Sequence, residues 1–220
     1  VILMLFKYLS KKKEEKPETG GIKNIIFDVG QVLVDYDWET YLDSFGFEPA
    51  KRERIAKATF QSPVWDERDR GLYEEDVYLK QFQELDPEDA EDIEKVIRGT
   101  GGTIHKRPYA DTWVKYLKSK GYHLYILSNY ASYMIDHTKK ELTFRKEMDG
   151  EVFSCYAKQL KPDAEIYQII LNKYQLKPEE CVFIDDRSEN CRGAQEQGIH
   201  TICFKDFKQV TADLEKLGVK

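Results

Sequence analysis

Acidic and polar side chains stand at the ends of three short apolar runs in this sequence. Each run has the form of a buried strand that stops at a turn. The side chains at their ends are Asp28, the pair Ser128 and Asn129, and the pair Asp185 and Asp186. The carboxyl ends of parallel strands meet at one edge of a sheet, so we expect these groups to lie together, with Lys161 joining them from a loop.

This set of side chains has the composition needed for phosphoryl transfer, with Asp28 as the nucleophile. A carboxylate can attack phosphorus and so divide hydrolysis into two displacements through an aspartyl-phosphate. Mg²⁺ prefers six oxygen ligands and often takes one or two from protein carboxylates. Asp28, Asp186 and the backbone carbonyl of Gly30 would supply the protein ligands. Ser128 and Lys161 would neutralise the charge on the phosphoryl oxygens.

Strands alternate with helices over most of the chain. Pro108 predicts the start of a helix that buries Trp113, Tyr116 and Leu117, while Asp163 and Ser188 can cap two later helices. Strand–helix alternation predicts an α/β fold with a doubly wound parallel sheet. The predicted strands are residues 22–28, 122–128, 181–186 and 200–204, with 152–156 as a fifth candidate.

One long segment shows helical patterns only. We predict that residues 38–104 form a small helical subdomain, the cap, inserted after the first strand, with a hinge at residues 99–102. Residues 21–37 and 105–220 then form the core domain, and residues 1–20 an extension that is disordered. The apolar residues 1–9 are too few to span a bilayer, so stable membrane insertion is not expected.

Composition limits the class of protein further. The fraction of hydrophobic residues is 41%, which suits a folded globular chain, and the net charge of −6 gives no footprint for nucleic acid. The four cysteines form no metal-ligand spacing, and we expect free thiols in a cytoplasmic protein. The sequence does not predict an oligomeric state.

Four segments in order resemble the four motifs of the haloacid-dehalogenase-like superfamily. They are IIFDVGQVLVD, LYILSN, KQLKPDAEIY and CVFIDDRSEN, and the resemblance runs from about residue 22 to the C-terminus. It implies a Rossmann-like core with a C1-type helical cap and a Mg²⁺-dependent phosphatase that acts on a small phosphorylated metabolite.

The resemblance also implies roles for individual residues. Asp28 matches the nucleophile, Ser128 the phosphate-binding hydroxyl, and Asn129 a neighbour that contacts substrate or phosphoryl oxygens. Lys161 matches the conserved lysine of the third motif. In the fourth motif Asp186 matches the metal ligand and Asp185 a second or water-mediated ligand, while Asn190 falls at a position that is polar or acidic in many relatives.

Gly30 departs from the commonest pattern of this superfamily. Most of its phosphatases carry an aspartate two residues after the nucleophile, as general acid and base. Glycine at this position resembles the alpha-D-glucose-1-phosphate phosphatase branch and leaves the proton donor open, with Asp35, Asp37 and water as candidates. A missing acid matters less when the leaving group is good.

Other functions compete with the phosphatase. A metal-independent 2-haloacid dehalogenase would lack the acid pair Asp185 and Asp186, and a phosphomutase would need an acid–base group where Gly30 stands. A non-catalytic binding protein is favoured by Gly30 alone. We therefore predict hydrolysis of a small phosphorylated metabolite, with a sugar phosphate as one candidate.

Three cap residues are candidates for reading the leaving group, although helix packing or solvent exposure is an equally good interpretation. They are Trp65, Arg68 and Arg70.

Overall fold

A five-stranded parallel sheet lies at the centre of the structure, a computed structural model that describes residues 21–220. The predicted N-terminal extension, residues 1–20, lies outside the described residues. The sheet order is β5-β4-β1-β6-β7, while β2 and β3 form a separate antiparallel pair. The strands are β1 Asn24–Phe27, β2 Val34–Tyr36, β3 Ile104–Lys106, β4 His123–Ser128, β5 Gly150–Phe153, β6 Cys181–Asp185 and β7 His200–Cys203.

Helices connect these strands and cover both faces of the sheet. Within residues 21–220, no helix combines the length and apolar character needed to cross a membrane. The helices are α1 Trp38–Asp43, α2 Pro49–Ala58, α3 Pro63–Arg70, α4 Glu75–Leu85, α5 Ala90–Arg98, α6 Ala110–Ser119, α7 Ser132–His137, α8 Ser154–Ala157, α9 Ala164–Tyr174, α10 Ser188–Glu196 and α11 Phe207–Lys216.

The central strand β1 is buried on both faces of the sheet. Its side chains alternate in direction: Ile25 and Phe27 join the hydrophobic cluster on one face, and Ile26 joins the cluster on the other. The chain builds one half of the sheet outward from β1 through β4 and β5, and the other half through β6 and β7. This is the predicted doubly wound α/β fold, and it puts the carboxyl end of β1 where strand order reverses.

Between β2 and β3 the chain is helical, with a hydrophobic cluster of its own. Residues such as Leu42, Ile55, Phe82 and Ile97 are fully buried there. Division of the chain into a core domain and a cap, residues 38–104, stays a prediction. The antiparallel pair β2–β3, at which the chain leaves and re-enters the core, was not predicted because three-residue strands carry too little pattern.

The predicted hinge at residues 99–102 is a packed turn. Thr100–Thr103 form a 3₁₀ helix, and both threonines are fully buried. Tyr41 packs so closely against Gly99 that a Cβ atom there would lie 2.3 Å from the Tyr41 hydroxyl. The glycines therefore permit close packing at this point rather than an open linker.

Several local predictions differ from the structure in detail. Ser188 is the first residue of α10 rather than its N-cap, and the Asp163 side chain makes no capping hydrogen bond at the start of α9. Tyr116 is 48% exposed, because it lies on the outer face of α6. The strand β5 starts two residues earlier than predicted. All four cysteines are free thiols.

Gly193 provides the first testable prediction, because α10 approaches the loop before α9 closely at this point. A Cβ atom at Gly193 would lie 2.6 Å from the carbonyl oxygen of Pro162. For Gly193→Ala we expect the overlap to exceed the gain in helix propensity, so that the free energy of unfolding falls by about 1–2 kcal/mol.

Urea unfolding followed by circular dichroism measures this change. Gly30→Ala is the matched control, since no described residue other than its chain neighbours has a heavy atom within 4 Å of a Cβ at Gly30. Equal unfolding midpoints for the two variants would contradict the prediction.

Candidate active site

Asp28 follows directly after β1, at the carboxyl end of the sheet. Its backbone N–H donates to the carbonyl of Ile184 at 2.9 Å, which continues the ladder between β1 and β6. The side-chain oxygen Oδ1 accepts hydrogen bonds from the Val29 N–H at 2.7 Å and the Ser128 hydroxyl at 2.7 Å, and lies 2.9 Å from Lys161 Nζ. Oδ2 accepts no hydrogen bond from residues 21–220, so this atom is available to a ligand.

Lys161 connects the two acidic strand ends. Its Nζ lies 2.9 Å from Asp28 Oδ1 and 2.6 Å from Asp185 Oδ2, and its side chain is 1% exposed. Burial lowers the pKa of Lys161, but the charges of Asp185 and Asp28 outweigh burial and raise it above its ordinary value. The lysine is therefore a buried cation between two carboxylates.

Asn129 fixes the loop that carries Lys161. Its side-chain carbonyl accepts the Lys161 backbone N–H at 2.8 Å, and its amide donates to the Lys161 carbonyl at 3.0 Å. Both polar atoms of the side chain are thus used to position the loop. A direct contact between Asn129 and substrate stays a prediction, although Asn129 borders the same cavity as Asp28.

Asp185 is fully buried, and the protein occupies both of its carboxylate oxygens. Oδ1 accepts the Arg187 backbone N–H at 2.8 Å, and the Asn190 amide donates to Oδ1 at 3.0 Å and to Oδ2 at 3.1 Å. Together with Lys161 Nζ, these donors make Asp185 an anchor for the site. Asn190 is 2% exposed, so the polar residue at this position serves a buried network.

Three carboxylates converge at this edge of the sheet. Oxygen atoms of Asp28, Asp185 and Asp186 all lie within 4.8 Å of one another, and Gly30 borders the same cavity. Burial raises the pKa of Asp28 to about 7, with the Lys161 charge opposing it. Burial and the charge of Asp185 also raise the pKa of Asp186. Lys161 balances one of the three negative charges, so the oxygen donors fit a divalent cation.

A cavity of about 290 Å³ opens above these groups. Asp28, Ser128, Lys161 and Asp186 border it on the core side. Four aromatic residues from β2 and the cap border it on the other side, and we call them the aromatic wall. They are Tyr36, Trp38, Phe60 and Trp65.

The aromatic wall is a connected stack. The ring centroids of Trp38 and Phe60 lie 5.2 Å apart, those of Phe60 and Trp65 lie 4.9 Å apart, and those of Tyr36 and Trp65 lie 6.1 Å apart. Such packing holds the rings in place through contacts with each other. The cavity therefore has a charged floor and a largely apolar wall.

Of the three residues predicted to read the leaving group, only Trp65 borders the cavity formed by the described residues. Arg68 is 1% exposed, and its guanidinium binds the Glu75 carboxylate at 2.6 and 3.1 Å. Arg70 pairs with Glu67 at 3.4 Å. Both arginines thus make contacts within the protein, and neither borders the cavity formed by the described residues.

The two aspartates proposed as substitute proton donors also lie elsewhere. Asp35 pairs with Arg107 at 2.8 Å, and Asp37 caps α1 by accepting the Thr40 N–H at 3.1 Å. Neither borders the cavity as residues 21–220 form it. Sequence reasoning missed two acids that do, Asp66 and Asp69 of α3, because they stand in a charged helix that looks solvent-exposed.

A family model described as haloacid dehalogenase-like hydrolase matches residues 22–198. This range includes the helical segment, the three strand ends of the site and the loop that carries Lys161. The chain therefore belongs to the haloacid dehalogenase-like hydrolase family.

Named relatives include phosphatases of small molecules. The chain is 26% identical to flavin mononucleotide hydrolase 1 of Arabidopsis thaliana, over 89% of this chain and 77% of the relative. It is also 26% identical to D-ribitol-5-phosphate phosphatase of Bacteroides thetaiotaomicron, over 82% and 90% respectively. A HAD family enzyme from the same bacterium, solved with magnesium and inorganic phosphate, has the same fold: TM-score 0.69, 22% identity, covering 86% of this chain and 98% of that one.

The buried position of Lys161 between two carboxylates leads to a prediction about stability. Lys161→Met leaves Asp28 and Asp185 buried without their counter-ion, so we expect the free energy of unfolding to fall by about 3–5 kcal/mol at pH 8. Lys177→Met is the control, because Lys177 is 69% exposed and its ion pair is long, at 3.9 Å.

The loss of unfolding free energy in Lys161→Met should shrink as pH falls. Without Lys161 the pKa of Asp28, already raised by burial, rises further above its unfolded value. The folded variant then binds a proton that the unfolded chain releases, so the destabilisation is full above the folded pKa and shrinks as pH falls through it. Denaturant unfolding of wild type and Lys161→Met at pH 8 and pH 5.5 measures this loss. A larger difference in unfolding free energy at pH 5.5 than at pH 8 would contradict the prediction.

Proposed function

We propose that this protein is a Mg²⁺-dependent phosphatase that hydrolyses small phosphate monoesters through an aspartyl-phosphate on Asp28. The observation that carries the proposal is the asymmetry of the Asp28 carboxylate. Three donors hold Oδ1, while Oδ2 is without a partner in the described chain at the floor of the cavity. A carboxylate fixed through one oxygen presents the other as an oriented nucleophile.

The reaction would proceed in two displacements. In the first, Asp28 Oδ2 attacks phosphorus, the bond from phosphorus to the leaving oxygen breaks, and that oxygen takes up a proton and departs as the alcohol. In the second, water gives up a proton and attacks the aspartyl-phosphate, the bond from phosphorus to Oδ2 breaks, and inorganic phosphate leaves. The Lys161 ammonium would bind phosphoryl oxygens in both steps, and the Ser128 hydroxyl would do so by turning its one proton from Asp28 Oδ1 to a phosphoryl oxygen.

Magnesium would bind at the acidic cluster. Asp28, Asp186 and the Gly30 carbonyl are the proposed protein ligands, and bound Mg²⁺ would neutralise charge on the phosphoryl oxygens. Asp185, whose two oxygens already accept hydrogen bonds, would act through a water molecule or by orienting Lys161. The acidic cluster and the relative solved with magnesium and phosphate support this proposal.

The cavity limits the substrate to a small molecule. Its volume, about 290 Å³, is at the lower end of the range for ligand pockets. The aromatic wall would pack against the organic part of the ester, either a planar ring or the apolar face of a sugar. A sugar phosphate, and membership of the glucose-1-phosphate phosphatase branch, remain our finer proposals, as does a cytoplasmic location.

The competing functions lack a specific observation in their favour. A metal-independent dehalogenase does not need three converging carboxylates, and a non-catalytic protein does not need an oriented Asp28 held by a buried lysine.

Asp28→Asn tests the nucleophile. We expect phosphate release from a panel of phosphorylated metabolites with Mg²⁺ to fall at least about 1,000-fold, because an amide oxygen is a poor nucleophile. The colorimetric assay for inorganic phosphate measures the rate. Asp136→Asn, a surface acid with a 64% exposed side chain, is the control. Wild-type rates in Asp28→Asn would refute the proposal, as would metal-free chloride release from 2-chloropropionate.

Metal removal tests the acidic cluster. We expect a chelator to abolish phosphate release and added Mg²⁺ to restore it. Asp186→Asn should raise the Mg²⁺ concentration for half-maximal rate at least about tenfold, because one carboxylate ligand is lost. Titration of the rate with Mg²⁺ measures this value, with Asp136→Asn again as control. Full activity in the chelated protein would contradict the metal assignment.

A further inference from the structure

The proposed reaction needs a proton donor for the leaving group, and position 30, two residues after Asp28, does not provide one. Departure of an alkoxide from phosphorus is slow unless an acid supplies a proton, and Gly30 has no side chain to do so. Apart from its chain neighbours Val29 and Gln31, no described residue has a heavy atom within 4 Å of a Cβ built at Gly30, so no group from elsewhere in the described chain fills its place. An acid on another side of the cavity could supply this proton.

Asp69 borders the cavity from the cap side, in the last turn of α3. The backbone N–H of Ala131, in the segment that follows β4 and the site residue Ser128, lowers the pKa of the Asp69 carboxyl. Its backbone carbonyl accepts the Ser154 hydroxyl at 2.6 Å, and that hydroxyl in turn accepts the Tyr130 N–H at 2.9 Å. Asp69 is therefore fixed to the same core loop that positions the phosphate-binding groups.

The end of α3 is also held against the core by its backbone. Gly71 terminates the helix in the left-handed region, with φ of 69°. A Cβ atom there would lie 2.9 Å from the Cys155 backbone, so only glycine allows this approach. The position of Asp69 relative to the core is thus defined on both sides of the residue.

We propose that Asp69 is the general acid and base of this enzyme, supplied by the cap in place of a side chain at position 30. This inference rests on the proposed phosphatase function and deepens it. In the first displacement the Asp69 carboxyl gives its proton to the leaving oxygen as the bond to phosphorus breaks. In the second, the Asp69 carboxylate takes a proton from the attacking water, which restores the starting state of the enzyme.

The environment of Asp69 suits this role. Burial raises the pKa of Asp69 to about 7; the charge of Arg68 and the Ala131 N–H lower it, and the charges of Asp66 and Asp28 raise it. A carboxyl group with such a pKa exchanges its proton near neutral pH, as acid–base catalysis requires. Asp66, one turn earlier on α3, borders the same cavity but is exposed.

The test compares two esters that differ in their need for a proton. The p-nitrophenolate leaving group departs readily without protonation, whereas the phenolate of phenyl phosphate is a poorer leaving group. For Asp69→Asn we expect kcat/KM for phenyl phosphate to fall about 100-fold, with at most about a fivefold loss for p-nitrophenyl phosphate. Asp66→Asn is the matched control on the same helix. We expect its ratio of kcat/KM for the two esters to equal that of wild type.

The outcomes separate this inference from the function on which it rests. An equal loss for both esters in Asp69→Asn, no loss for either, or the same selectivity in Asp66→Asn would overturn the assignment of Asp69. In each of these cases the phosphatase proposal stands if wild type releases phosphate and Asp28→Asn does not. A wild type inactive on both esters and on the metabolite panel would overturn both proposals.

A second variant distinguishes loss of a proton donor from damage to the site. The open space at Gly30 admits an aspartate, so Gly30→Asp in the Asp69→Asn background should recover phenyl phosphate hydrolysis by about tenfold or more. Failure to recover it, with p-nitrophenyl phosphate hydrolysis retained, would count against a proton-transfer role for Asp69.

Discussion

The buried contact of Lys161 with Asp28 and Asp185 is the interaction on which the rest of the site depends. A lone ammonium or carboxylate at this depth would be strongly disfavoured, so each of the three groups requires the others. Meeting that requirement fixes the ends of β1 and β6 and the loop before α9 relative to one another. It also leaves Asp28 with one oxygen held and the other without a partner among residues 21–220, which is the condition for an oriented nucleophile. The negative charge that remains on the cluster suits a cation and a phosphoryl group bound together.

The strand ends of the sheet and the helical segment of residues 38–104, our predicted cap, contribute different chemistry to the cavity. The core supplies charged and polar groups from the ends of buried strands, where backbone pairing and burial define their positions closely. Residues 38–104 supply Asp69 and, together with Tyr36 of β2, the aromatic wall; the Ser154 hydroxyl, which donates to the Asp69 carbonyl, holds Asp69 against the sheet side. On this account the core determines that phosphate is transferred, while the cap provides the surface for the organic group and the proton that releases it. On this account the acid that relatives carry two residues after the nucleophile is not lost in this protein; Asp69 supplies it from another part of the chain.

The sequence predicts the core much better than the cap. Asp28, Ser128 and Asp185 follow continuous apolar runs, and burial of such runs in a parallel sheet brings their ends together whatever the details of the loops. Asp69 has no comparable signal, because it stands among charged residues and its burial arises from packing of α3 against the core. Arg68 shows the same limit: its charge suggests a ligand contact, yet Glu75 and the surrounding rings enclose it. The burial of Asp69 and Arg68 depends on how the helical segment packs against the rest of the protein, and the hydrophobic periodicity of the segment alone does not predict that packing.

The central claim is that the phosphoryl group passes through Asp28, and trapping the intermediate tests it most directly. The protein is mixed with Mg²⁺ and acetyl phosphate, whose leaving group needs no proton, and is quenched in acid during turnover. Peptide mass spectrometry then locates any added phosphoryl group. We expect the peptide that contains Asp28 to gain the mass of one phosphoryl group, and Asp28→Asn to show no such gain. Phosphate release by wild type with the phosphoryl group found on another residue, or with equal labelling of Asp28→Asn, would contradict the account.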